Sequence, residues 1–240
     1  MPRRDGRAND ELRPVDIQVG YQEFAEGSAL IQVGQTRVIC SASVEERVPG
    51  FLRGEGKGWI TAEYGMLPRS TLSRTPRERG SGKSSGRVQE IQRLIGRSLR
   101  AIVDLKALGE RTVTLDCDVL QADGGTRTAA VTGAYVALHQ ALTAMVRKKV
   151  LRAMPLHGVV AATSVGVVGD ALLLDLNYEE DFRAKVDFNV VMSDSSELIE
   201  VQGTAEEEPF SRRTMDHMVD LAQGGIQRLV EIQREALGGP

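Results

Sequence analysis

The chain has 240 residues, with 30 Lys and Arg against 33 Asp and Glu and a formal net charge of −3. This length suffices for a sizeable core, as one domain or as two packed halves. The charge balance excludes a globally basic nucleic-acid binder, so any polynucleotide contact has to come from a local patch. Aromatic residues are only 4% of the chain, which argues against the base-stacking platforms of single-strand-binding modules. Cys40 and Cys117 lie in apolar strand-like runs without metal spacing, so they are expected to be buried reduced thiols, and two cysteines cannot make a disulfide framework. The basic start Met1–Arg7 has no apolar stretch behind it, and no apolar run reaches membrane-spanning length. A soluble, cytosolic protein with no membrane partner is expected.

In chain order, Ala29–Val33 and Arg37–Val44 read as strands joined through Gly34-Gln35-Thr36, a hairpin signal. Trp59–Tyr64 reads as a further strand. The stretch from Met66 to Gly86 is nearly free of apolar residues but carries Arg69, Arg74, Arg77, Arg79 and Lys83, a basic arm in an otherwise acidic protein. Such a segment either forks onto a phosphate backbone or is a solvated loop. A helix is predicted over about Ser85–Leu105, with Val88, Ile91, Leu94, Ile95, Leu99, Ile102 and Val103 on one face and Arg93, Arg97 and Arg100 on another. Arg87 falls in its first turn, where a cation opposes the helix dipole; it holds an anion there or reaches back to a carboxylate.

The alternating, β-branched run Thr112–Leu120 predicts a strand, and Val131, Tyr135, Leu138, Leu142, Met145 and Val146 predict a helix. Between them stands Gln121-Ala122-Asp123-Gly124-Gly125-Thr126-Arg127-Thr128. A strand turning through two glycines into a helix start presents free N–H groups and the positive dipole end to an anion such as phosphate. The same pattern fits a plain βα turn with Thr as the helix cap. It is not a Walker loop, lacking Gly-Lys-Ser/Thr. Strands follow over Gly158–Val168, Ala171–Leu176, Val186–Met192 and Leu198–Gln202, then a helix over about Ser211–Ala236. Strands followed by a helix thus occur twice, which predicts an α+β fold of two related halves, about 1–148 and 149–240.

The second half adds Asp181 and Asp187 around Phe182-Arg183. Paired carboxylates near a phosphate site suit a hard divalent cation, most naturally Mg²⁺, or acid–base work; surface acids at a strand entry are the alternative. In one extended strand the two would stand about 20 Å apart, so sharing an ion requires a turn near Phe182-Arg183-Ala184.

Four long motifs, Trp59–Thr71, Gly86-Arg87 with Glu90–Arg100, Asp116–Thr128 and Ile199–Glu206, together closely resemble the bacterial ribonuclease PH family, in the right order over nearly the whole chain. The resemblance implies a single domain of duplicated βαβ-type halves over 1–240. It also implies phosphorolytic 3′-5′ trimming of tRNA precursors with inorganic phosphate as co-substrate, release of nucleoside diphosphates, and a homohexamer built as a trimer of dimers. Carried over by position, phosphate binding falls on Arg87, Gly125, Thr126 and Arg127, and RNA binding on Arg69, Arg74 and Arg77. Asp181 and Asp187 match acids that related polynucleotide phosphorylases use for divalent metal, with Asp187, Asp181 and Arg127 as the catalytic set. The chain departs from the family pattern at Ser81, where a further Arg is expected nearby, and at Ser195-Ser196-Glu197 and Glu207-Glu208, where small or glycine residues are usual. Two other classes fit less well: a non-catalytic ring subunit would lack the phosphate Arg or the acidic pair, and a small-molecule phosphotransferase would not need the arm.

Overall fold

A computed structural model describes residues 3–76, 85–206 and 208–239. Arg77, Arg79 and Lys83 of the basic arm therefore lie outside the described residues. The first sheet contains β1 (Val15–Val19), β2 (Gly27–Val33), β3 (Thr36–Glu45), β4 (Trp59–Met66) and β5 (Thr112–Gln121), in the order β1-β2-β3-β5-β4. All its pairings are antiparallel except β4 with β5, which are parallel and joined through helix α1 (Gly86–Arg100). The predicted hairpin is β2–β3. β1 was not anticipated, although Val15-Asp16-Ile17-Gln18-Val19 alternates as an edge strand should.

The helix expected to run to Leu105 stops at Arg100. Asp104 caps a second, four-residue helix, α2 (Leu105–Leu108), its Oδ1 accepting from the N–H groups of Lys106 and Ala107. Val103 pairs with Leu156 instead of continuing the turn. A local cap and a tertiary bridge together override the apolar periodicity.

Helix α3 (Thr126–Arg147) follows β5 and lies between the first sheet and the second, which contains β6 (Val160–Val168), β7 (Ala171–Leu174), β8 (Ala184–Ser193) and β9 (Leu198–Ala205) in the order β7-β6-β8-β9. The second sheet is antiparallel throughout. A short helix, α4 (Tyr178–Arg183), precedes β8, and α5 (Arg212–Ala236), capped by Ser211, closes the chain against β6. Among the described residues α3 is the one helix long and apolar enough to cross a membrane. Thr132, Gly133, His139 and Gln140 interrupt its apolar residues, so it contains no continuous apolar run of spanning length. It is largely buried, as a helix apolar on all sides at the centre of a globular protein should be. The helix sits close on the sheet at Gly133, where a Cβ would stand 2.7 Å from Ile31 Cγ2 and 3.0 Å from Cys40 Sγ. Cys40 and Cys117 face each other across β3 and β5, buried and free as expected.

The N-terminal segment is tied to the second sheet by buried charge. Asp175, just past β7, takes the backbone N–H, Nε and Nη2 of Arg13 at 2.8, 2.9 and 2.7 Å, and Arg7 lies 3.4 Å from the same carboxylate. Arg3 grips Glu180 of α4 through Nε and Nη2 at 2.8 and 2.7 Å. Removing one partner of a buried pair leaves the other charge uncompensated. Asp175→Asn is therefore expected to lose on the order of 3–5 kcal/mol in chemical denaturation, and a loss below about 1 kcal/mol would show that solvent replaces the carboxylate.

Candidate active site

The turn between β5 and α3 is built by its carbonyls. Arg13 Nη1 donates to the Asp123 carbonyl and Nη2 to that of Gly124. Thr36 Oγ1 donates to the Gly124 carbonyl at 2.7 Å and accepts from the Asp123 N–H at 2.9 Å. Thr128 Oγ1 donates to the Gly125 carbonyl at 2.9 Å. The glycines are required here: φ is +74° at Gly124 and +64° at Gly125, and a Cβ on Gly124 would stand 2.6 Å from the Leu176 carbonyl oxygen.

The reading of this turn with Thr as helix cap does not hold. The N-cap is Gly125, without any side-chain cap, so the first N–H groups of α3 remain for a ligand. Thr126 is occupied differently: Tyr64 O–H at the end of β4 donates to its Oγ1 at 2.8 Å. With a lone pair so engaged, the Thr126 hydroxyl hydrogen is directed away from Tyr64. Burial pushes the Tyr64 phenol up, which keeps it a donor.

Arg127 Nη1 contacts Glu90 of α1 at 3.2 Å and Gln202 of β9 at 3.1 Å, so α1 and the second sheet jointly aim this guanidinium. Arg87, in the first turn of α1, faces the same cleft and contributes positive charge at Tyr64, Asp181 and Asp187. Asn177 and Glu180 form a capping box at the start of α4, and α4 gives way to β8 between Arg183 and Ala184. That junction supplies the change of direction that brings Asp181 and Asp187 to one cleft. Asp187 lies opposite Gly166 of β6 and Thr204 of β9.

The cleft is about 680 Å³ and is lined by Arg87, Gly125, Thr126, Arg127, Asp181 and Asp187 among others. Arg69 and Arg74 are exposed on the segment after β4. Their neighbour Thr71 reaches the cleft wall, and the Ser70 carbonyl accepts from Ala122 N–H at 2.8 Å. The arm's stem is thus hydrogen-bonded to the glycine turn. Ser196 has φ +64°, a strained conformation for a residue with a Cβ.

The electrostatics of the acids follow from this enclosure. Burial pushes the Asp187 carboxyl up to about 6, with a further rise from the Asp181 charge and opposing pulls from Arg127 and Arg87. Asp181, at the open rim, is raised by desolvation against the pull of Arg87 and Arg127. Among the described residues no group of three His, Cys, Asp or Glu gathers as a metal cage. Asp181 and Asp187 line one cleft beside the helix start, and their carboxylate oxygens are of the donor type that a hard divalent ion would take.

Arg13, Thr36 and Tyr64 were not singled out from the sequence. Asp175 offered a signal for the first, as a lone charge inside Leu172-Leu173-Leu174-Asp175-Leu176, since such a residue needs a buried partner.

Two models of one family match the chain: domain 1 of the 3′ exoribonuclease family over residues 11–143 and domain 2 over 158–225. The chain belongs to this family, that of ribonuclease PH. Ribonuclease PH of Moorella thermoacetica is 61% identical over 238 residues, covering 99% of this chain and 95% of that protein. A chain of the Archaeoglobus fulgidus exosome with RNA bound to the active site matches with a TM-score of 0.81 at 23% identity, over 95% of this chain and 91% of that one. Rice Rrp46 gives 0.79 at 20% identity, over 98% and 100%. At these identities the two structures speak for the fold, the α+β class expected from the sequence.

Asp187 allows a test of the cleft's electrostatics. Its folded pKa lies above the ordinary carboxylate value of 3.8, so the folded state binds more protons between about pH 4 and 6. Stability from this group is present below that window and lost as pH rises through 6. Asp187→Asn removes the penalty, and its stability gain over wild type should open between pH 5 and 8 to on the order of 1–3 kcal/mol. A gap equal at both pH values would contradict the raised pKa.

Proposed function

We propose that this chain is a phosphorolytic 3′-5′ exoribonuclease that trims the 3′ end of tRNA precursors in the cytosol. The observation that carries the reading is one cleft combining an uncapped helix start, two arginines and two desolvated carboxylates. Inorganic phosphate is held by Arg87, by the part of Arg127 not committed to Glu90 and Gln202, by the Thr126 hydroxyl and by the first N–H groups of α3. One phosphate oxygen then attacks the last phosphodiester in line with the departing 3′ oxygen. The new O–P bond forms, the P–O3′ bond breaks, and the 3′ oxygen takes a proton. A nucleoside diphosphate leaves, and the RNA is shorter by one.

Asp187 is suited to that proton. A carboxyl titrating near 6 is protonated in part of the population at neutral pH, as general acid catalysis requires, and Asp187 lines the cleft. Asp181 and Asp187 are also the residues that would hold Mg²⁺. When bound, the ion supplies charge stabilisation to the scissile group. The stem arginines Arg69 and Arg74, with Arg77 beyond, hold the RNA backbone. Because each subunit supplies a single arm, a ring of six, assembled as a trimer of dimers, gathers several arms around one RNA; sedimentation tests that assembly.

Incubation of RNA carrying extra 3′ nucleotides should release nucleoside diphosphates only when inorganic phosphate is present. Release of monophosphates without phosphate would mean hydrolysis and defeat the mechanism. Arg127→Ala should lower phosphate-dependent turnover by about 10²–10³-fold while keeping most of the RNA affinity, and near-normal turnover would remove Arg127 from the cradle. Substituting Arg69 and Arg74 with Ala should weaken RNA binding and flatten its dependence on salt by about one unit of slope per lost phosphate contact. An unchanged slope would take the stem out of the RNA path.

A further inference from the structure

Helix α4 carries two aromatic side chains that neither the core nor the phosphate cradle uses. Phe182 is 80% exposed and Tyr178 53%, and both line the cleft that holds Asp181 and Asp187. Four residues apart on one helix, their rings stack, with centroids 6.4 Å apart and planes 27° from parallel. Exposing a phenyl ring to water is unfavourable, and fully burying one is worth about 1.5–3 kcal/mol, so an exposed pair beside a site is better explained by a ligand than by folding.

The helix presenting them is held firmly for its six residues. Its capping box closes both ways between Asn177 and Glu180, Arg3 fixes Glu180 from the N-terminal segment, and Asp123 Oδ1 of the glycine turn accepts from Tyr178 N–H at 3.3 Å. The aromatic pair is thereby fixed relative to the phosphate turn on one side and, through the adjacent Asp181, to the acids on the other. A pre-organised surface loses little entropy when a ligand settles on it.

We propose that Tyr178 and Phe182 form a stacking subsite for the nucleobase of one of the two nucleosides that flank the scissile phosphodiester. This inference rests on the RNA-trimming reading above. The chemistry of the occupant follows from its neighbours: the ligand must carry phosphate for the Arg87 and Arg127 side of the cleft and a flat apolar face for the rings, which a nucleotide does. No hydrogen-bonding side chain is needed on the platform, since every base has a π-face, and the subsite accepts any base. The low aromatic content of the chain argues against a broad base-stacking module, and two rings at a single position are compatible with that composition.

The test uses the full chain and labelled RNA in phosphate-free buffer. Phe182→Ala should weaken binding of RNA with an intact 3′ end by about 5- to 150-fold, the range for one stacked base, and Phe182→Trp should restore it. Tyr178→Ala should act in the same direction. On RNA made abasic at the last or at the penultimate nucleotide, the effect of Phe182→Ala should vanish for one of the two. An equal loss on intact and both abasic RNAs, no loss at all, or a changed sedimentation coefficient that tracks the loss would overturn the subsite, the last identifying the rings as a subunit contact. The binding readout is independent of turnover: failure of wild type to release diphosphates would defeat the phosphorolytic reading, while coupling between Phe182 and an abasic position would still identify the base subsite.

Discussion

Asp175 is the point on which the geometry of the cleft depends. Its carboxylate is buried with Arg13, and Arg13 spends its remaining donors on the carbonyls of Asp123 and Gly124. A peptide unit whose carbonyl is held on one side presents its N–H on the other. The glycine turn can present its N–H groups to an anion because Arg13, held by Asp175 just past β7, fixes its carbonyls from behind. Asp175 holds φ +51°, a conformation costing about 1–3 kcal/mol that persists only where its surroundings over-determine it. Here the surroundings are Arg13, Arg7 and the backbone bond from Asp175 N–H to the Ser164 carbonyl at 2.7 Å.

The cleft combines charges of both signs without letting them cancel. Arg127 is partly neutralised by Glu90 and steadied by Gln202, whereas Asp181 and Asp187 make no ion pair among the described residues. They feel Arg87 and Arg127 at longer range, too weakly to offset the desolvation that the cleft imposes even on Asp181 at its open rim, so both carboxyls stay raised. Direct pairing of these arginines with these aspartates would have quenched anion binding and proton transfer alike. Separate elements prevent it: the cations lie on α1 and α3, the acids on α4 and β8. A phosphate held between the two sets, as proposed, would meet donors on one side and a carboxyl able to carry a proton on the other.

Much of the architecture could be read from periodicity. β2, β3, β4, β5, α3 and α5 fall close to their predicted spans because long alternating or helical patterns coincide with burial. Two departures were local. Asp104 restarted a helix that the apolar pattern would have continued, and α4 was hidden in a segment read as an acidic constellation, although Asn177 and Glu180 have the spacing of a capping box. The candidate residues Arg87, Gly125, Thr126, Arg127, Asp181 and Asp187 do converge on one cleft, but what aims them was not legible. Tyr64 on Thr126, Gln202 on Arg127 and Arg13 on the turn are contacts between residues more than 60 positions apart, and no pattern within a sequence window encodes such a pairing.

Further long-range bonds bear on how RNA and phosphate would come to occupy the proposed site together. Leu67 N–H donates to the Val119 carbonyl at 3.0 Å and Ala122 N–H to the Ser70 carbonyl at 2.8 Å, so the stem of the basic arm continues the edge of the first sheet as far as the glycine turn. Arg69 and Arg74 are thereby carried on backbone that is hydrogen-bonded to the glycine turn. An RNA strand seated on the stem, as proposed, would lie in register with the turn, which would lower the entropic cost of bringing RNA and phosphate together. On the opposite wall, α4 is locked to the same turn through Tyr178 N–H and Asp123. Both walls refer to residues 122–125, and that common reference would let a chain with little net charge assemble the proposed phosphoryl-transfer site from separate elements.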